Sequence, residues 1–147
     1  MQDVEAAGVV DRFFAACNAH NSELLGRCFA PHIAAVGPDG EAEGREQVVS
    51  YYEVIWMAVP DMRFTVWQTI TEGDEVAATA LVTGTHTGPL LMPGGESLSG
   101  TGRRVGFRCC WVLTVEQRLI VSYHLFYDQL EMYSQLGLQL PGSGTPS

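Results

Sequence analysis

Apolar residues return every three or four positions up to about residue 59, and from Phe64 onward they alternate one by one with polar residues. The first half therefore predicts helices and the second half strands. Between residues 3 and 19, Val4, Ala7, Val10 or Asp11, Phe14 and Cys17 recur at helical spacing, the stripe widened by Phe13. Asn18–Asn21 interrupts that helix. Ser22 is placed to cap a second, short helix running to Phe29, with Pro31 as its stop. His32–Val36 predicts a short strand, followed by the turn Gly37–Pro38–Asp39–Gly40. A third helix opens at Gly44–Arg45–Glu46, carries Val48, Val49, Tyr52, Ile55, Trp56 and Val59 on one side, and ends at Pro60–Asp61. Strands then follow over Phe64–Thr71 and Glu75–Thr87, separated by a turn at Gly73–Asp74. Gly88–Gly102, rich in glycine and proline, is a loop long enough to form a rim or lid.

The stretch from Gly102 to Gly137 organises the rest. Val105, Phe107, Cys109, Trp111 and Leu113 alternate with Arg104, Gly106, Arg108, Cys110 and Val112, which predicts a strand with two unlike faces. A tight turn near Glu116–Gln117 leads into a second strand. There Ser122, His124 and Phe126 alternate with Val121, Tyr123, Leu125 and Tyr127, and a short helix begins at Asp128. Polar and phenolic groups on both faces exceed what packing requires and point to a pocket. Helices early and strands late, without βαβ alternation, define an α+β fold with helices on one face of a mainly antiparallel sheet. The expected domain is 1–140, with residues 141–147 a disordered tail.

Composition narrows the function classes. Among 147 residues, eight are basic and seventeen acidic, a net charge of −9, which repels nucleic acid and anionic membranes. No apolar run is long enough to span a bilayer. The acidic, amphipathic start lacks the form of a secretory signal. Cys17, Cys28, Cys109 and Cys110 have no CxxC spacing, so a reduced cytoplasmic protein without disulfides or zinc is expected. His20, His32, His86 and His124 are too scattered to suggest a metal site, and no cofactor motif is present.

Several short motifs in order carry a resemblance. They are Phe14–Asn18, the Gly44–Arg45–Glu46 helix start, Pro60–Asp61, Gly84–Thr85–His86–Thr87–Gly88, Thr101–Gly102–Arg103–Arg104, Tyr127–Asp128–Gln129 and Gln135–Leu136–Gly137. Together the set resembles SnoaL-like proteins of the nuclear transport factor two superfamily. The resemblance implies a cone: a strongly curved sheet wrapped around three helices, enclosing an apolar cavity, with a homodimer commonly formed through the sheet. It also implies a small-molecule enzyme such as a polyketide cyclase, a steroid isomerase or a limonene-type epoxide hydrolase. The family's catalytic positions do not all carry over. A steroid isomerase would need a hydroxyl, a carboxylate and an acid where Phe13, Gly37 and Cys109 or Cys110 stand. The cyclases' and hydrolases' aspartate on the last strand is Leu125 here, and the hydrolases' arginine–aspartate pair is missing.

Four residues remain as carriers of chemistry. His86 can act as a base or as a donor to an enolate oxygen, or it can simply shape the strand end. Asp128, in a D-x-x-E capping box, can cap the final helix, face the pocket, or do both. His124 can pair with Asp128 or lie on the outer face. Arg108 can balance an anionic oxygen or face solvent. Phe13, Tyr52, Trp56, Trp111, Leu125 and Tyr127 form the expected substrate-binding wall, suited to a flat apolar ligand. The functional expectation is a cofactor-independent cyclase or isomerase acting on an apolar carbonyl compound. A ligand carrier that has lost catalysis, or an epoxide hydrolase, is the alternative.

Overall fold

A computed structural model describes residues 2–92 and 95–138. The expected tail at 141–147 lies outside them. The elements run α1 (Gln2–Ala19), α2 (Ser22–Arg27), β1 (Phe29–Gly37), β2 (Gly40–Glu43), α3 (Arg45–Ala58), β3 (Arg63–Glu72) and β4 (Glu75–Thr85). A small hairpin, β5 (Leu90–Leu91) with β6 (Ser97–Leu98), precedes β7 (Arg104–Glu116), β8 (Leu119–Tyr127) and α4 (Gln129–Gln135). Six strands form one curved sheet in the order β2-β1-β8-β7-β4-β3. Every neighbouring pair is antiparallel except β1 with β8. The α+β class follows from the sequence pattern as read.

On β7 the alternation is realised as expected. Val105, Phe107, Cys109, Trp111, Leu113 and Val115 are buried, and the residues between them face outward. The turn that follows holds Gln117 and Arg118 at φ of 51° and 65°. Two successive left-handed residues suit a two-residue hairpin whose twist matches its strands. Arg118 also pairs with Glu5 of α1 at 2.6 Å, an exposed contact.

Several details differ from expectation. The buried stripe of α1 is Ala6, Val9, Val10, Phe13, Phe14, Ala16 and Cys17, rotated from the predicted one, and Val4 is exposed. Asn21, not Ser22, caps α2 by accepting from the Leu24 amide at 3.0 Å. The Ser22 hydroxyl instead donates to Glu53 at 2.7 Å. Pro31 lies within β1 rather than stopping a helix. It falls where the β1–β8 register shifts between Phe29 and Ala34, an interval that tolerates a residue without an N–H. Finally, β2 was not foreseen, because Gly40–Glu43 is an exposed edge strand with no apolar alternation to reveal it.

β4 ends two residues earlier than predicted because the backbone turns away to α3. The amides of Thr87 and Gly88 both donate to the Ala58 carbonyl, at 3.1 and 3.0 Å. Here glycine is required by space: a Cβ on Gly88 would collide with the Met57 carbonyl, and one on Gly100 with the Thr87 carbonyl. At the other end of the domain, Gln135 of α4 grips the backbone of Gly106. Its amide nitrogen donates to the Gly106 carbonyl and its oxygen accepts from the Gly106 amide, each at 2.8 Å.

The break after α1 is a latch. Asn18 donates to the Phe64 carbonyl at 2.9 Å and accepts from the Phe64 amide at 2.7 Å, joining α1 to β3. His20 donates through Nε2 to the Met62 carbonyl at 2.8 Å and stacks on Trp56 with centroids 5.0 Å apart. Asn18→Ala leaves both Phe64 backbone groups without these partners, so it is expected to cost about 1–3 kcal/mol. In urea denaturation the midpoint should fall with an unchanged slope. An unchanged midpoint would mean that helix packing alone holds this corner.

Candidate functional site

The inward row of β7 meets α1 only along part of its length. Past α1, a cavity of about 450 Å³ opens between β4, β7, β8, α3, α4 and the segment Leu90–Met92. Its wall is largely aliphatic and aromatic. Of the expected binding residues, Tyr52, Trp111, Leu125 and Tyr127 line it, and so does His86. Phe13 and Trp56 do not. Phe13 is fully buried beside Phe14, Phe29 and Tyr52, and Trp56 is held against His20.

Three expected catalytic residues lie elsewhere. Asp128 is exposed and caps α4, accepting from the Glu131 amide at 3.2 Å. His124 is exposed on the outer face, opposite Val112, because Tyr123 and Leu125 take the inward positions of β8. Arg108 is exposed on the same outer side of β7, its guanidinium 5.8 Å from the centre of the Trp67 ring. Pairing of Asp128 with either histidine across the cavity is therefore not what this geometry provides.

His86 has no exposed surface. Its Nδ1 accepts from the Thr101 amide at 3.2 Å and lies 3.0 Å from the Thr101 hydroxyl. An amide can only donate, so Nδ1 carries the lone pair and the ring proton sits on Nε2. Nε2 has no hydrogen-bond partner among the described residues. Burial lowers the pKa of the imidazole, with the Gly88 carbonyl acting in the opposite sense. His86 is thus a buried ring in the cavity wall whose Nδ1 is taken up by Thr101.

The sequence reading missed Asp39. It stands at the β1–β2 turn, is exposed, and is the one carboxylate among the residues lining the cavity. A second, smaller cavity of about 120 Å³ shares Asp39, Tyr51 and Leu125 with the first, so the carboxylate borders both. A Cβ on Gly37 would lie 3.1 Å from Asp39 Oδ1, which shows the side chain folded back over its own turn. Residues that make a turn needed no further explanation in the sequence. The available signal was the steroid-isomerase carboxylate sought at Gly37, two positions earlier.

Asp39 acts on the phenols around it. Burial raises the pKa of Tyr51, Tyr123, Tyr127 and Tyr133, and the negative charge of Asp39 raises all four further. Beneath them the hydroxyls of Tyr52 and Tyr123 are 2.8 Å apart and buried. All of these phenols are protonated donors at neutral pH. Cys109, also in the wall, is pushed by burial up to about 12 and is no nucleophile. Among the described residues no three of His, Cys, Asp and Glu converge as a metal site would need, and no helix is long and apolar enough to cross a membrane.

Comparison with known proteins agrees with this fold. The SnoaL-like domain family matches residues 10–123, and the chain belongs to that family. Among solved structures, a candidate SnoaL-like polyketide cyclase from Jannaschia sp. CCS1 superposes with a TM-score of 0.83 at 20% identity, covering 95% of this chain and 96% of that one. IdmH, a candidate polyketide cyclase from Streptomyces antibioticus, gives 0.75 at 23% identity, covering 90% and 99%. An epoxide hydrolase of the limonene-hydrolase-like type from M. tuberculosis gives 0.72 at 14% identity, covering 92% of each chain. At these identities the likeness defines the fold. No curated protein matched the sequence significantly.

Two outcomes follow from this geometry. Asp128→Ala should lower stability by about 1 kcal/mol, the usual cost of a lost cap, while leaving ligand affinity in the cavity unchanged; a loss of affinity per folded molecule would return Asp128 to the site. His86, depressed below its ordinary 6.5, contributes stability that is complete above that value and is lost as pH falls below it toward the folded-state pKa. His86→Gln should therefore flatten the acid limb of a stability–pH curve below about 6.5. An unaltered limb would mean that other groups cause it.

Proposed function

We propose that this protein is a cofactor-independent enzyme that removes a proton next to the carbonyl of an apolar, polyketide-type small molecule and directs ring closure or isomerisation. The observation that carries this reading is Asp39, a carboxylate without an ion-pair partner among the described residues, set in an otherwise apolar, phenol-rich wall. In this reading the substrate's α C–H bond breaks and the proton passes to the Asp39 carboxylate. The electron pair moves onto the carbonyl oxygen. A phenol of the wall, Tyr127 or Tyr51, donates a hydrogen bond to that oxygen as charge develops there.

In isomerisation Asp39 returns the proton to a different carbon. In ring closure the enolate carbon bonds to a second carbonyl carbon of the same molecule, and the resulting alkoxide takes the proton back. Either way the cavity holds the chain folded, so that the encounter of its ends becomes unimolecular. His86 keeps the wall closed and offers Nε2–H, a role unlike the proton carrier expected from the sequence. Epoxide hydrolysis is less well served, because Arg108 is on the outer face and lies apart from Asp39. A carrier role is favoured by one observation, Leu125, which makes the family's aspartate position part of the apolar wall. We further propose a homodimer through the outer sheet face, where Trp67, Val112 and Phe126 are exposed.

The test is isotope exchange. A panel of poly-β-ketone esters and cyclic enones incubated with the protein in D₂O should gain deuterium at the carbon next to the carbonyl. Asp39→Asn should slow this about 10²–10⁴-fold, the usual range for loss of a general base. Exchange at an unchanged rate in Asp39→Asn would remove Asp39 from the mechanism. Binding without exchange in the native protein would favour the carrier.

A further inference from the structure

The charge of the cavity says more about its occupant than its shape does. Among the described residues that line it, Asp39 alone is charged at neutral pH, and no lysine or arginine is present. The nearby arginines are used elsewhere. Arg108 lies over Trp67 on the outer face, and the Arg103 guanidinium is packed against Gly137 beyond α4. The ion pairs among the described residues join Arg27 to Glu23 and Arg118 to Glu5, neither of them at the cavity. The one histidine of the wall has its Nδ1 lone pair committed to the Thr101 amide, so it stays neutral. No group of the wall therefore offsets the carboxylate.

The surroundings of Asp39 also suit a cation in a second way. Tyr51, Tyr127 and Tyr133 line the same cavity, and Phe107 lies against Tyr127 with ring centroids 5.5 Å apart. Aromatic faces present negative charge density, and an organic cation close to them gains attraction at little desolvation cost. A carboxylate beside aromatic rings in an apolar cleft is a receptor for an alkylated ammonium on a greasy frame. Conversely, a carboxylate, phosphate or thioester-linked nucleotide ligand would meet an unopposed negative charge within a chain whose net charge is −9.

We infer that the cavity selects an apolar small molecule bearing a protonated or quaternary amine, its cationic nitrogen seated against Asp39 and the tyrosine rings around it. The inference rests on the cavity and its charge, and it holds whether or not Asp39 moves a proton. Where both apply, a cation on the substrate would add a full positive charge to the phenol hydrogen bond at the enolate, a charge that no side chain of the wall supplies.

The experiment compares three ligands on one naphthylmethyl frame: (2-naphthylmethyl)trimethylammonium, its neutral carbon isostere 2-neopentylnaphthalene, and the anion 2-naphthylacetate. Affinities are read from amide shifts of the isotopically labelled protein in NMR titrations. The ammonium should bind about tenfold tighter than the neutral isostere, and the anion most weakly. Asp39→Asn should bring ammonium and neutral isostere to within about twofold of each other, while Glu41→Gln, in the neighbouring edge strand, should keep the native preference. If Asp39→Asn does not fold, Tyr127→Leu serves instead. It keeps the carboxylate but removes an aromatic face, and should reduce the preference by about threefold.

Equal binding of ammonium and neutral isostere by the native protein would overturn the inference. So would a preference that survives Asp39→Asn, or that Glu41→Gln abolishes equally, because the general negative field would then explain it. None of the three ligands is a ketone or an ester, so the result is separate from the exchange test of catalysis.

Discussion

A single row of inward side chains on β7 serves two purposes. Its turn end, with Leu113 and Val115, packs into the core. Its other end, with Val105, Phe107 and Cys109, lies beyond α1 and faces the cavity, across which stand α3 and α4. Trp111 stands at the division, touching Phe13 and Phe14 of α1 on one side and the cavity on the other. Because side chains of a strand alternate strictly, a shift of register by one residue would turn both core and cavity wall outward together. The latch of Asn18 onto Phe64 and the tight turn at Gln117–Arg118 hold the elements in the register on which both depend.

The cavity's chemistry is set by what burial does to each group. Desolvation keeps the wall phenols protonated and the imidazole neutral, and both effects leave donors. Asp39, at the rim, is exposed, so the carboxylate of the wall is a group that water still reaches. A carboxylate buried at Leu125, deep in the wall, would have met a different environment.

Much of the fold was legible because the period of the apolar pattern is a direct imprint of which face is buried. Helices α1 and α3 and strands β3, β4, β7 and β8 were visible in this way. β2 was not, since an exposed edge strand has no buried face to imprint. The site was less legible. Parity along β8 left His124 either outward or turned toward Asp128, and the fold puts it outward; the D-x-x-E pattern left Asp128 as cap, pocket group or both, and it caps α4. Asp39 was hidden because a turn explains an aspartate fully, and only the three-dimensional path of the turn brings it over the cavity. The state of His86 could not be read either. It depends on the amide of Thr101, and a backbone group leaves no trace in residue identity.

The grip of Gln135 on Gly106 has a consequence for how this architecture can vary. β8 pairs with β7 only as far as Cys109, so the backbone of Gly106 would otherwise present an unfilled edge there. One glutamine side chain substitutes for the missing strand, and it reads only main-chain atoms. The helix that carries it also supplies Met132, Tyr133 and Leu136 to the cavity. Attachment and lining are thus separate properties of α4. The fold has an exchangeable floor, whose contacts with the ligand can be rewritten by mutation without renegotiating its mooring to the sheet.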